Sequence, residues 1–393
     1  MNGRTGRRSA RILMAGDVLV DRVDPQDAFS LIRGVLGAGD VLFGNCEAVY
    51  AAVSALPPHV GAAIVVDPAN VAGLASAGFD VMSCANNHIG DGGHAAMFET
   101  ARHLRDAGIA PVGIGANLAE ARAPAIVEAR GVRIAVLAAA SVFPYGYEAR
   151  DDWPGLAPLR GYNLYEDADP YNWVPGARPR VRTFTDEQDL AALQESIAAA
   201  HEEADIVVTS FHWGDWTRPA HLTDHEIRVA HRAVDFGADI VVGHHHHLLR
   251  GIEWYRGRPI FYGLGHLIFD LERTTRRLPA GMLAELPAGE ADDYHGIAVR
   301  QGWPQLPLHP DSRMTVIAWA DVAAAGVREI GVIPCLINPH GQAVPVSATS
   351  ADGERVLRYL AWACTDQGLQ VSIEPAPDHP ADGITGAIVT AVR

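Results

Sequence analysis

Short apolar runs alternate with helix-like stretches over most of the chain, and this constrains the fold more than any other feature of the sequence. "RILMAG" (11–16), "DVLFGN" (40–45), "AAIVVD" (62–67) and "DVMSCAN" (80–86) read as buried strands, as do "RIAVLAAASV" (133–142), "DIVVTSFHWG" (205–214), "DIVVGHHHH" (239–247) and "RPIFYGLG" (258–265). Residues 26–36, 68–77, 93–107, 186–203 and 223–236 carry helical patterns between them. Thr223 followed by Glu226 fits a capping box. Pro near the start and Gly near the end bound the helix at 68–77. Strands alternating with helices predict an α/β fold in which helices cover a sheet. The pattern breaks at 144–182, a Pro-, Gly-, Tyr- and Trp-rich segment. A loop this long and this aromatic reads as an ordered lid or binding loop. A second irregular stretch covers 272–293, and beyond 313 apolar runs alternate again with a helix near 353–365.

Composition narrows the function classes. The chain has 393 residues, 48% of them hydrophobic and 20% charged, enough to bury a large core. No run of about 18 apolar residues is present, so no membrane span is expected. The net charge of −16 argues against nucleic acid as a partner, because that affinity rests on Lys and Arg contacts to phosphates. The basic, polar first residues lead straight into a strand without a secretory apolar region, which predicts a cytoplasmic protein. Cys46, Cys84, Cys335 and Cys364 form no C-x-x-C pair and read as small buried hydrophobes.

The polar residues gather where strands end. Gly16-Asp17 follows the first strand, Asn45-Cys46-Glu47 the second, and Asn86-Asn87-His88 a later one. His212 ends "TSFHWGD", and His244, His245, His246 and His247 end "DIVVG". In open α/β sheets, ligands bind in the crevice outside the carboxyl ends of strands. Carboxylates with imidazoles suit one or two divalent ions, with Mg, Mn, Ca, Zn and Fe all in range. Glu47 is placed to bridge two such ions. Trp213 and Trp216 read as packing residues, and His221, His225 and His231 as solvated positions on or beside a helix. His295, in "DDYHGIAV", is either an exposed loop histidine or a residue that reaches the site.

With these motifs in place, the sequence resembles the CapA family, named for capsule and poly-γ-glutamate synthesis, within the calcineurin-like metallophosphoesterase superfamily. The matching text is "GDVLVDR", "NCEAV", "ANNHIGDGG", "FHWGD", "HEIRVAHRAVDFGADIVVGHHHH" and "GRPIFYGLGHLIFD", in family order over about residues 10–270. The resemblance implies a four-layer α/β/β/α sandwich. It implies a flexible stretch at 1–9, one domain over 10–345, and a C-terminal extension at 346–393 packed on it. The family text His-Pro-His falls on His245, His246 and His247, which makes His245 and His247 ligands and leaves His244 behind them or simply packed. Carried over, Asp17, Glu47 and His247 would hold one metal, and Glu47, Asn87, His212 and His245 the other. His88 takes the general acid/base position. Val18 and Leu19 follow Asp17, so the superfamily's Asp-x-His imidazole is absent. His266 stands where the family usually has Asn, either as an added acid/base group or as a neutral hydrogen-bonding substitute.

Three functions are compatible with this. One is peptide modification, namely Cα epimerisation of a ribosomally made precursor of the lasso-peptide type. Its substrate would be a peptide, and His88, His266 and His295 are its candidate proton-transfer groups. The absence of an export signal or membrane anchor favours this reading. The alternatives are phosphoester hydrolysis and a role in poly-γ-glutamate or capsule biosynthesis.

Overall fold

The computed structural model describes residues 9–52, 63–172, 174–277 and 302–392. In chain order, the strands β1 (Ala10–Leu19), β2 (Val41–Cys46), β3 (Val81–Ser83) and β4 (Ala110–Val112) lie side by side in parallel. Helices α1 (Val71–Ala77) and α2 (Gly93–Asp106) make crossovers among them. An antiparallel pair, β5 (Ala125–Ala129) and β6 (Val132–Ala140), begins a second sheet. An exposed hairpin, β7 (Gly161–Glu166) with β8 (Arg180–Thr185), then stands apart from both sheets. Next come α3 (Glu187–Glu203), β9 (Ile206–His212), α4 (Asp224–Phe236), β10 (Ile240–His244), β11 (Ile252–Tyr255) and β12 (Arg258–Phe261). The second sheet has the order β11-β12-β10-β9-β6-β5. β13 (His266–Phe269) returns to pair with β1, and β14 (Met314–Ala323) and β15 (Gly326–Ile337) continue the first sheet from its other edge. After α5 (Ala351–Asp366), β16 (Val371–Ala381) and β17 (Ile384–Ala391) complete it, giving the order β16-β17-β15-β14-β1-β2-β3-β4. The C-terminal residues therefore extend the main sheet.

The strand period of two sorts the second sheet's side chains into two cores. Ile134, Val136 and Ala138 of β6, Val208 of β9, and Ile240 and Val242 of β10 share one core with Ile12 and Met14 of β1 and Val81 of β3. Their alternates Ala135, Leu137, Val207, Phe211 and Val241 pack with Leu190, Leu193 and Ile197 of α3 and Val229 and Ala233 of α4. One face of this sheet thus meets the first sheet and the other is roofed by helices. The central strands β6, β9 and β10 are buried on both faces, which is why they read as near-continuous apolar runs.

The helix signals map onto local structure. Thr223 and Glu226 form the complete capping box of α4, and Gly237 ends that helix at φ 118°. Residues 26–36 depart from the expectation of one helix. They form a 3₁₀ turn, Asp27–Phe29, and a single helical turn, Arg33–Leu36, with no side-chain cap on either. Gly34 and Gly37 also lower helix propensity there. Of the strand expected at 62–67, Ala62 lies outside the described residues and the rest is reduced to Val65–Val66, paired with Val49–Tyr50. No helix among the described residues is long and apolar enough to cross a membrane. The four cysteines are buried and free.

Candidate metal centre

Strand parity aims the site. On β9 and β10 the even-numbered residues face the first sheet, so His212 and His244, which end these strands in register, point into the space between the sheets. From the other side, Asp17 lies in register with Asn45 of β2 and with His266 of β13. The Glu47 N–H bonds the Val18 carbonyl at 3.0 Å, which sets its carboxylate one step beyond β2. Gly16 is required at the neck of this arrangement, because a Cβ there would strike the Gly265 carbonyl.

β10 stops at His244, so His245 and His247 do not share a side by extended-strand alternation, as their spacing suggests. Both take positive φ, 98° and 54°, in a region that only a few per cent of non-glycine residues visit, His, Asn and Asp more often than others. That backbone turns both rings inward. Asp17, Glu47 and His247 place one ligand atom each within 4.8 Å of one another, and Glu47, His212 and His245 do the same. Glu47 belongs to both triads. Its Oε1 lies 3.9 Å from His212 Nε2 and 3.7 Å from His247 Nε2. Asp17 Oδ2 lies 3.3 Å from His247 Nδ1, and Asp17 Oδ1 lies 3.4 Å from His244 Nδ1. Asn87 Oδ1 joins the second triad at 2.7 Å from His212 Nε2.

The electrostatics are those of a cation site. Burial pushes the Glu47 carboxyl well above its usual range, and the charge of Asp17 pushes it further. Burial acts the same way on Asp17, but the His244 and His247 imidazoles hold it well below the usual range. His212 and His245 are driven well below ordinary histidine by burial and by neighbouring imidazoles, so both stay neutral. Neutral imidazole is the form that ligates metal. Glu47 Oε1, His245 Nδ1 and His247 Nδ1 are buried without a hydrogen bond. Buried polar atoms normally find partners. A divalent cation would supply one here, and the carboxylate, imidazole and carboxamide donors fit it.

The surrounding residues take distinct places. Asn45, which the sequence puts at a strand end with no assigned role, sits in the middle. Its Nδ2 donates to Asp17 Oδ1 at 2.9 Å and to Glu47 Oε2 at 3.2 Å. Asn86 braces it through a bond from Nδ2 to Asn45 Oδ1 at 3.1 Å. His88 is partly exposed, and its Nδ1 lies 2.8 Å from Asp91 Oδ2. Tyr147 donates to the other Asp91 oxygen at 3.0 Å. His266 is fully buried, lies against His247 and Phe269, and has no hydrogen bond at either nitrogen. Burial, reinforced by His247, lowers its pKa to about 3, so it remains neutral, and with neither nitrogen bonded it makes no hydrogen bond of the substitute kind. His295 lies outside the described residues.

A cavity of about 740 Å³ opens beside the triads. Asn87 and His245 line it, together with Tyr162, Tyr165 and Thr183 of the hairpin and Asp215, Trp216 and Arg218. The 144–182 segment thus reaches the site through β7 and β8. His225 corrects the sequence expectation of a solvated histidine. It is buried, with Nε2 at 2.7 Å from Ser141 Oγ and Nδ1 at 3.0 Å from Thr185 Oγ1, and both it and Ser141 line the cavity. His231 instead stacks on Tyr255 and bonds Glu253 at 3.0 Å. Neither role has a sequence signal beyond helical spacing, because the partners are distant in the chain.

Residues 8–271 match the family model described as bacterial capsule synthesis protein PGA_cap. The chain belongs to the PGA_cap (CapA) family. Among its relatives, a probable polyglutamine synthesis accessory protein of Mycobacterium tuberculosis is 34% identical over 243 residues, covering 60% of this chain and 57% of that protein. An uncharacterized protein of Sinorhizobium fredii is 32% identical over 311 residues, covering 67% of each. The PGA biosynthesis protein CapA of Bacillus subtilis is 33% identical over 200 residues, covering 51% of this chain and 45% of that protein. This PGA_cap chain therefore matches only about half the length of the mycobacterial and Bacillus relatives. The matched span contains Asp17, Glu47, Asn87, His212, His245 and His247.

Proposed function

We propose that this chain is a divalent-metal-dependent protein of capsule or poly-γ-glutamate synthesis, acting on amide or carboxylate groups of a glutamate polymer. The reading rests on one observation above all: two ligand triads that share Glu47 and adjoin, at Asn87 and His245, a cleft large enough for a segment of chain. The names of the Mycobacterium and Bacillus relatives favour this reading over peptide epimerisation. Epimerisation requires an acid and a base on opposite faces of one carbon. Of the residues considered for that pair, His266 is fully buried, with no hydrogen bond at either nitrogen. We also assign the two facing sheets and the helices over them to the four-layer sandwich of calcineurin-like metallophosphoesterases.

Asp17, Glu47 and His247 would hold one cation, and Glu47, Asn87, His212 and His245 a second. A bound cation supplies Lewis-acid polarisation of a substrate oxygen. The chain's residues do the rest. Asn45 fixes both carboxylates. Asp91, itself held by Tyr147, orients His88 through Nδ1 and leaves Nε2 to hold or give a proton. Tyr162, Tyr165 and Trp216 offer aromatic surface to the methylene groups of a polymer, and Arg218 offers a partner for its carboxylates.

The test uses the full chain, treated with chelator and reloaded with Mn²⁺, incubated with poly-γ-glutamate and separately with an aryl phosphate. The expected result is a Mn²⁺-dependent change in polymer length, seen by size-exclusion chromatography and lost in Glu47→Gln. Aryl phosphate turnover with an unchanged polymer would transfer the assignment to phosphoester hydrolysis. Absence of both, with no Mn²⁺ bound, would end it.

A further inference from the structure

Behind the ligand histidines lies a buried polar group that neither triad uses. His246 is 1% exposed and Glu226 is fully buried, and His246 Nε2 meets Glu226 Oε1 at 2.8 Å. The other oxygen of Glu226 is committed as well. It accepts from the Thr223 N–H at 2.7 Å and from Thr223 Oγ1 at 2.8 Å, the capping box of α4. The carboxylate is therefore anchored to the first turn of a helix, and it grips the one side chain between His245 and His247. Those two residues hold the positive φ values that turn their rings inward. Such backbone costs on the order of 1–3 kcal/mol per residue and persists only where its surroundings over-determine it.

The same pair organises the cleft wall. Gly214, at φ 90°, packs so closely that a Cβ there would strike both His246 Nε2 and Glu226 Oε1. Arg250 is fully buried beside them, and its Nη2 donates to the Asp215 carbonyl at 2.8 Å. Gly214, Asp215, Trp216 and Arg218 line the cavity.

We infer that Glu226 and His246 are positioning residues, a buried clamp that holds His245 and His247 in their strained inward conformation and seats the 214–218 cleft wall against them. The inference rests on the reading of His245 and His247 as ligands. Neither clamp residue needs to touch the cation. The clamp acts by narrowing the backbone states of 245–247, so its loss should weaken metal binding with every ligand side chain still present.

Co²⁺ tests this, because its visible absorption reports the ligand set independently of activity. His246→Gln keeps an N–H donor near the Nε2 position and should bind Co²⁺ within about threefold of wild type with an unchanged spectrum. His246→Leu, similar in size but unable to bond Glu226, should weaken Co²⁺ at least tenfold and alter the band while far-UV circular dichroism stays native. Glu226→Gln should follow His246→Leu in direction, and it replaces that variant if His246→Leu does not fold. Equal Co²⁺ affinity and spectra in His246→Leu, or in its replacement, and wild type would overturn the clamp. Weakening in His246→Gln as severe as in His246→Leu would overturn it too, by making His246 a ligand. A wild-type chain that binds no Co²⁺ would instead remove the metal reading on which the clamp depends.

Discussion

Replacing Glu47 by Gln should stabilise the metal-free protein and abolish its stabilisation by metal. Glu47 is buried, its Oε1 has no hydrogen bond, and its ligand atom lies within 4.8 Å of one on Asp17. At that outer limit and an effective dielectric of about 20, two unit charges would repel by ~3.5 kcal/mol. The imidazoles around Asp17 offset part of this, so relief in Glu47→Gln should amount to about 1–3 kcal/mol. The metal effect has the opposite sign. A cation at 100 times its Kd stabilises the wild type by ~2.7 kcal/mol. Unfolding entropy for a chain of 393 residues is roughly 0.8 kcal/mol/K, so that gain is about 3 °C in Tm. Thermal denaturation in EDTA and then across a Mn²⁺ series reads both. Glu47→Gln should melt about 1–4 °C above wild type in EDTA and should not move with Mn²⁺. Because the folded-state carboxyl titrates above its unfolded value, the penalty relieved by the substitution is largest at high pH and disappears as pH falls toward the ordinary Glu range. A variant that melts below wild type in EDTA, or that rises with Mn²⁺ as wild type does, refutes the reasoning.

Further predictions follow from other parts of the structure. Burial lowers the His225 pKa to about 4. The folded state therefore resists a proton that the unfolded chain accepts near 6.5, and stability present above pH 6.5 is lost as pH falls toward 4. That loss is about 2 kcal/mol at pH 5, and urea unfolding of His225→Gln at pH 7.5 and 5 should show it removed. His88→Ala should cut any Mn²⁺-dependent turnover 10²–10⁴-fold while calorimetry shows Mn²⁺ affinity within threefold of wild type; Asp91→Asn should fall between. Gly243→Ala puts a methyl group against the Tyr262 carbonyl and the Trp213 indole, and should cost about 1–3 kcal/mol or more by denaturant titration. Tyr162→Ala and Tyr165→Ala should raise KM for the polymer more than they lower kcat, because both side chains line the cleft and neither belongs to a triad.

The sequence by itself determined the α/β class, because strands buried on both faces must be apolar along their length and helices must be amphipathic, and both periods are visible in a single chain. It also placed Asp17, Glu47, Asn87, His212 and the histidine run at strand ends, where parallel strands deliver side chains to one crevice. The capping box at Thr223 and Glu226 was legible because it is local. The tertiary structure alone decided what lies opposite what. Glu47 serves two triads because β2 lies beside β1 and faces β9 and β10 across the core. His225 finds Ser141 and Thr185, and His246 finds Glu226, across 20 or more residues of chain. His245 and His247 converge through left-handed backbone that no spacing rule foretells, since such a conformation is unfavourable locally and survives only through the packing around it. Periodicity records which side of its own element a residue occupies; the identity of its neighbour on another element is a property of the assembled fold.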